Sequence, residues 1–188
     1  MSKLIIAGLD GSLRNFGMTK MSFDITSGAL DILDLKLIET QKDKSKSVRA
    51  SSDNLLRAQE IARGVDDFLK DVTVCFAEVP SGGQDYNAVL GFGITIGIYA
   101  GIKIPLLEVA PIETKKCTVG TRTASKQEMI EWASETYPNA PWLTTKRAGV
   151  LVPTLKNEHL ADAAAICHAG IVTPAFKQVQ AILAQRAA

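Results

Sequence analysis

Asn157-Glu158-His159-Leu160-Ala161-Asp162-Ala163-Ala164-Ala165-Ile166 reads as the start of a helix, with Asn157 as its N-cap. Leu160, Ala163, Ala164, Cys167 and Ile171 fall on one stripe at helical spacing. The other side is small and apolar too, at Ala161, Ala165, Ile166 and Ala169, so the helix is expected to be covered on most sides. A carboxylate at Asp162 is costly in that setting unless something compensates its charge. Glu158 and Asp162 are i,i+4 neighbours and His159 and Asp162 are i,i+3 neighbours, so these side chains converge near the first turn. A helix dipole also favours an acidic first turn. This segment alone leaves both a site and a capping role open.

Two strands upstream bear on that choice. Leu4-Ile5-Ile6-Ala7-Gly8-Leu9 is a continuous apolar run, the pattern of a strand buried on both faces, and it ends in Asp10-Gly11-Ser12. An acid at the end of a buried strand stands where α/β sheets carry their sites. An Asp-Gly pair also makes turns, and residues 16–23 and 29–40, joined through Ser27-Gly28, read as two further strands. Val72-Thr73-Val74-Cys75-Phe76-Ala77 repeats the pattern and runs into Glu78. Two buried strands, each closing on a single carboxylate, are harder to ascribe to turn chemistry.

The remaining segments connect these three. Residues 41–53 are a polar, Lys-rich loop, and residues 50–70 an amphipathic helix with Leu55, Ile61, Val65 and Phe68 on its apolar face and Leu56 beside them. Ser81-Gly82-Gly83 is a flexible loop before a helix over 84–101. Gly91, Gly93 and Gly97 inside that helix each cost roughly 1 kcal/mol against Ala, which calls for close packing on another element or on a partner chain. Residues 104–109 form a short strand, and a helical turn opens at Pro111. Ser125 and Glu128 make a capping box for a helix to Thr136. Residues 138–153 read as a loop holding Lys146 and Arg147, and a last short helix covers 176–185 after Thr173-Pro174. This order predicts an α/β fold with a central five-stranded mixed sheet and helices on both faces.

With 188 residues and 46% apolar composition, the chain is expected to be a single domain over 1–188. Net charge is +1, so global charge does not announce a nucleic-acid binder. Locally, residues 111–126 set Lys115, Lys116, Arg122 and Lys126 against Glu113 alone. Cys75, Cys117 and Cys167 lack metal-ligand spacing and read as reduced core thiols of a cytoplasmic protein. The N-terminus has no signal-peptide layout, and no apolar run approaches the ~18 residues of a membrane span.

Asp10, Glu78 and Asp162 stand at sheet and helix ends, and as a cluster in a partly buried site they cannot all stay ionised without a cation. Oxygen ligands suit Mg²⁺, with Mn²⁺ as a substitute. Two such ions, roughly 4 Å apart, activate water and stabilise the leaving oxygen of a phosphodiester. His159 and His168 are the only histidines and no Cys lies near His159, so a zinc hydrolase set is missing.

Read together, the motifs resemble those of the RuvC family of Holliday junction resolvases, within the ribonuclease H-like nuclease superfamily. The resemblance is carried by Ile6-Ala7-Gly8-Leu9-Asp10-Gly11-Ser12, Phe76-Ala77-Glu78 and His159-Leu160-Ala161-Asp162-Ala163-Ala164-Ala165-Ile166. Val109-Ala110-Pro111, Lys115, Thr118-Val119-Gly120-Thr121 and Ala124-Ser125-Lys126 extend it, in order, over residues 3–172. It implies a ribonuclease H-like fold and a homodimer that binds four-way DNA junctions and makes paired, Mg²⁺-dependent incisions in recombination and repair. By that resemblance Asp10, Glu78 and Asp162 are catalytic metal ligands, and His159 is a fourth ligand or a proton-handling group. Glu158 is an extra candidate ligand. Lys115 and Lys126 match lysines that face DNA phosphates, with Lys116, Arg122 and Tyr86 as further DNA contacts.

The chain also departs from the family. Ser81-Gly82-Gly83 stands where the family often has an aromatic wedge, with Tyr86 the nearest aromatic, and the loop over 137–156 is longer than usual. Both departures fit a divergent member, such as a phage- or virus-encoded one, acting on a broader set of branched DNAs. Two readings from other classes compete: an actin-like or sugar-kinase-type nucleotide-binding module, and a non-catalytic junction-binding protein.

Overall fold

The computed structural model describes residues 3–45, 47–83 and 85–187, so Lys46 of the expected loop and Gln84 at the expected helix start lie outside the described residues. Strands β1 (Lys3–Gly11), β2 (Asn15–Asp24) and β3 (Leu30–Glu39) form an antiparallel meander. After α1 (Ala50–Phe68), strand β4 (Val74–Ala77) pairs parallel to β1, and β5 (Leu106–Glu108) pairs parallel to β4 beyond α2 (Tyr86–Ala100). The sheet order is β3-β2-β1-β4-β5, the expected five-stranded mixed sheet. Helices α3 (Pro111–Thr118), α4 (Lys126–Thr136), α5 (Asn157–Ile171) and α6 (Pro174–Ala187) follow, with a hairpin of β6 (Thr144–Arg147) and β7 (Val150–Pro153) before α5.

Period-two alternation divides the core into two layers. Ala7, Leu9, Phe16 and Met18 pack with Ile61 and Val65 of α1 and Tyr99 of α2. On the opposite face Ile6, Met21 and Phe76 pack with Ala164, Ile166 and Cys167 of α5 and with Phe176 of α6. Helices therefore cover both faces. Among the described residues, no helix is long and apolar enough to cross a membrane.

Small residues let α5 come down almost to backbone contact with the sheet. A Cβ on Gly8 would collide with the carbonyl oxygen of Ala163, and one on Gly17 with that of His159. The buried Thr19 hydroxyl donates to the Leu160 carbonyl at 2.9 Å, fixing the helix along β2. On its other side Ala161 and Ala165 pack against Ala124, Met129 and Ala133. Covered on all these sides, α5 is the buried helix its sequence predicts.

Several expectations are corrected. β1 runs through Asp10, which pairs with Gly17, so Asp10 is a strand residue and the turn lies beyond it. Asn157 is the first residue inside α5 and no N-cap; its buried amide accepts from Leu143 N and donates to Leu143 O, each at 2.9 Å. Residues 138–153 are no plain loop. Positive φ at Ala148 (48°) and Gly149 (83°) turns them into the β6–β7 hairpin, because such a two-residue turn matches strand twist. Leu55 and Leu56 are exposed, and so is Cys117, whereas Cys75 and Cys167 are buried thiols. Gly91, Gly93 and Gly97 have open space where a Cβ would stand, so no described element explains them.

The α4 capping box forms as read: Ser125 Oγ accepts from Glu128 N at 3.3 Å, and Glu128 Oε2 accepts from Ser125 N at 2.7 Å.

Candidate active site

Three elements bring acids to one end of the sheet. β1 supplies Asp10, the residue after β4 supplies Glu78, and the first turns of α5 supply Glu158, His159 and Asp162. His159 Nδ1 lies 2.8 Å from Asp10 Oδ2, so residues 149 positions apart are joined directly. That bond is the main cause holding His159 above its ordinary value of 6.5, against the opposing effect of burial.

Burial is the leading cause that lifts Asp162 from 3.8 to about 7, and the charges of Asp10, Glu158 and Glu78 add to it. Glu78 is raised as well, first by burial, with the Asp10 charge contributing; the Thr114 hydroxyl and the Lys115 charge oppose the rise. The Thr114 hydroxyl donates to Glu78 Oε1 at 2.6 Å. The acids thus share one electrostatic field that penalises their joint ionisation.

Charge and donor type fit a hard divalent cation, but the ligand sphere is not preformed. Among the described residues no three His, Cys, Asp or Glu side chains are gathered closely enough to hold an ion as they stand. Asp10 is engaged by His159 and Glu78 by Thr114.

The basic residues divide into two groups. Lys126 Nζ pairs with Glu158 Oε1 at 2.6 Å, and its charge also feels Asp162 and Asp10, so it stands over the acids. Lys115, one residue after Thr114, lies close enough to Glu78 to affect its ionisation. Lys116 and Arg122 are exposed and join no described acid. Tyr86, 77% exposed, lines a groove of about 940 Å³ between α1, α2 and the β1–β2 turn, and none of the acids lines that groove.

Sequence reasoning missed Thr114, because a threonine inside a short helix carries no signal until Glu78 is placed beside it. It also missed the pairing of Glu158 with Lys126, which depends on how α4 lies against α5.

The sheet order and its helical cover are those of a ribonuclease H-like α/β fold. T. thermophilus RuvC in complex with Holliday junction substrate is similar, with a TM-score of 0.63 at 19% identity over 88% of this chain and 92% of that one. A second Thermus thermophilus RuvC structure gives 0.56 at 19% identity, over 88% of this chain and 92% of that one. Fowlpox virus resolvase in complex with substrate Holliday junction DNA gives 0.54 at 14% identity, over 90% of this chain and 100% of that one. No family model and no curated protein sequence matches the chain, so the likeness is one of fold.

Proposed function

We propose that the chain is a metal-dependent endonuclease that cleaves branched DNA, four-way junctions foremost, in recombination and repair. One observation carries the reading: acids from β1, the end of β4 and α5 meet at one end of a ribonuclease H-like sheet, in a field that holds Asp162 near neutrality. The similar folds described with Holliday junction DNA support the choice of substrate.

In this reading residues 1–188 form one nuclease domain working in the cytoplasm. Asp10, Glu78 and Asp162 hold Mg²⁺, or Mn²⁺ in its place, as two ions, with His159 or Glu158 completing the set. When bound, the cation supplies an activated water and stabilises charge on the departing oxygen. Asp10 offers a cation the oxygen that His159 does not hold, while His159 keeps a proton within reach at Nδ1. Thr114 orients Glu78. Lys115 and Lys126 bind phosphates beside the acids, and Lys116 and Arg122 extend the basic track along α3 and the α3–α4 connection.

A homodimer through α2 belongs to the same reading. Val89, Leu90 and Ile96 are exposed along that helix, and its glycines leave an uncovered, closely approachable face. Sedimentation is expected to return a dimer that Ile96→Lys dissociates; a wild-type monomer on and off DNA would remove this part. Incubating the protein with a labelled four-way junction, a fork and a matched duplex, in Mg²⁺ or EDTA, tests the activity. Cuts confined to the junction support a resolvase, cuts spread over forks and flaps a debranching nuclease, and binding without cutting a non-catalytic protein.

A further inference from the structure

The β6–β7 hairpin has no part in the site described above, and its surface is unusual. All four β6 residues are exposed, and so are Val150 and Leu151 of β7, at 63% and 62%. Between Thr136 and Glu158 the chain contains no acid, but it holds Lys146, Arg147 and Lys156. Lys156 is occupied by Glu39 at 2.7 Å, which leaves the two tip cations. Strand register sets Lys146 opposite Leu151 and Arg147 opposite Val150. Directly paired residues point to the same face of a ribbon. Each face near the tip therefore presents one cation beside one aliphatic side chain.

The base of the ribbon is held firmly. Asn157 clamps Leu143 through both atoms of its amide, Thr154 N donates to Leu143 O at 3.0 Å, and Trp142 Nε1 donates to Tyr137 O at 2.9 Å. Asn157 is also the residue directly before Glu158 and His159. The clamp therefore ties the ribbon to the helix that carries the acids.

We propose that the β6–β7 hairpin is a DNA-engaging ribbon: Lys146 and Arg147 grip phosphates on either side of a branch point, and Val150 and Leu151 wedge against its bases. Four residues per strand give a ribbon about 14 Å long, enough to span a groove about 12 Å wide. Apolar wedges at nucleic-acid interfaces unstack base steps at a cost of a few kcal/mol, and that cost is least where a branch has already broken the stack. With no acid between Thr136 and Glu158 to pair them, the two tip cations complement the phosphates of a polyanion. The inference rests on the nuclease reading and adds to it the element that selects branched over linear DNA.

The test uses the full chain in EDTA, a four-way junction carrying 2-aminopurine at the crossover, and a matched duplex. Wild type is expected to raise the fluorescence on binding. V150S/L151S should lose that rise and about tenfold of the preference for junction over duplex. K146A/R147A should weaken both DNAs alike and lower the salt slope by about two. Thermal midpoints should match wild type, because all four side chains are exposed. If V150S/L151S keeps the fluorescence rise and the preference while wild type binds and cuts junctions, the ribbon inference falls and the nuclease reading stands. If wild type neither binds nor cuts branched DNA, both fall.

Discussion

His159 Nδ1 lies 2.8 Å from Asp10 Oδ2, and this single contact ties the helix that closes the site to the strand that begins the chain. It also separates the two histidines chemically. The Asp10 bond is the first cause raising His159 above 6.5, whereas burial lowers His168, which shares a 2.7 Å hydrogen bond with Tyr137, to about 4. An NMR titration is expected to show His159 gaining its proton above pH 6.5 and His168 staying neutral down to about pH 4. His168 is depressed in the fold, so the stability it protects is present above pH 6.5 and lost as pH falls from there to about 4, a change of about 3 kcal/mol. Coincident titrations of the two rings would contradict both assignments.

Asp162 acts in the opposite sense. Its carboxyl is raised in the fold from 3.8 to about 7, so its contribution is present below pH 3.8 and lost as pH rises through about 7. At pH 8 in EDTA, Asp162→Asn is expected to be more stable than wild type by on the order of 2 kcal/mol. Mg²⁺ should raise the melting temperature of wild type and not of the variant, since a cation that binds only the folded state stabilises it. A variant less stable than wild type in EDTA would remove the charge-repulsion account.

Gly17 is where β2 accepts the backbone of α5. Gly17→Ala forces a methyl into the His159 carbonyl and is expected to cost about 1–3 kcal/mol in denaturant unfolding. Gly91→Ala, where a Cβ meets open space, should instead stabilise the isolated chain by up to about 1 kcal/mol. Equal effects at the two sites would show that close approach of α5 is not the constraint.

Glu158 holds Lys126 at 2.6 Å. Glu158→Gln frees that lysine and is expected to tighten DNA binding in EDTA several-fold, with little change in stability because Lys126 is exposed. Lys126→Ala should weaken binding and lower the salt slope by about one. Unchanged binding in both variants would place Lys126 off the DNA path.

Much of this architecture was legible because the decisive patterns are local. The apolar runs before Asp10 and Glu78, the Ser125–Glu128 capping box and the small-residue helix around Asp162 each specify their element and mark the acids as exceptions. Contacts between distant elements were not legible. Asn157 suits an N-cap by type, and only the position of Leu143 turns it into a clamp. The β6–β7 turn places Ala148 at positive φ, a conformation that alanine rarely adopts, so the usual Asn-Gly signal was missing and the segment read as a loop. Leu55 and Leu56 follow a helical stripe yet remain exposed, because periodicity names a face and not what covers it.

The most direct test compares wild type and Asp10→Asn on a labelled four-way junction, in Mg²⁺ and in EDTA. The account predicts paired cuts in opposing strands by wild type in Mg²⁺ only, and a loss of roughly a thousandfold or more in Asp10→Asn with junction binding intact. Cutting by Asp10→Asn at the wild-type rate, or cutting by wild type in EDTA, would contradict it.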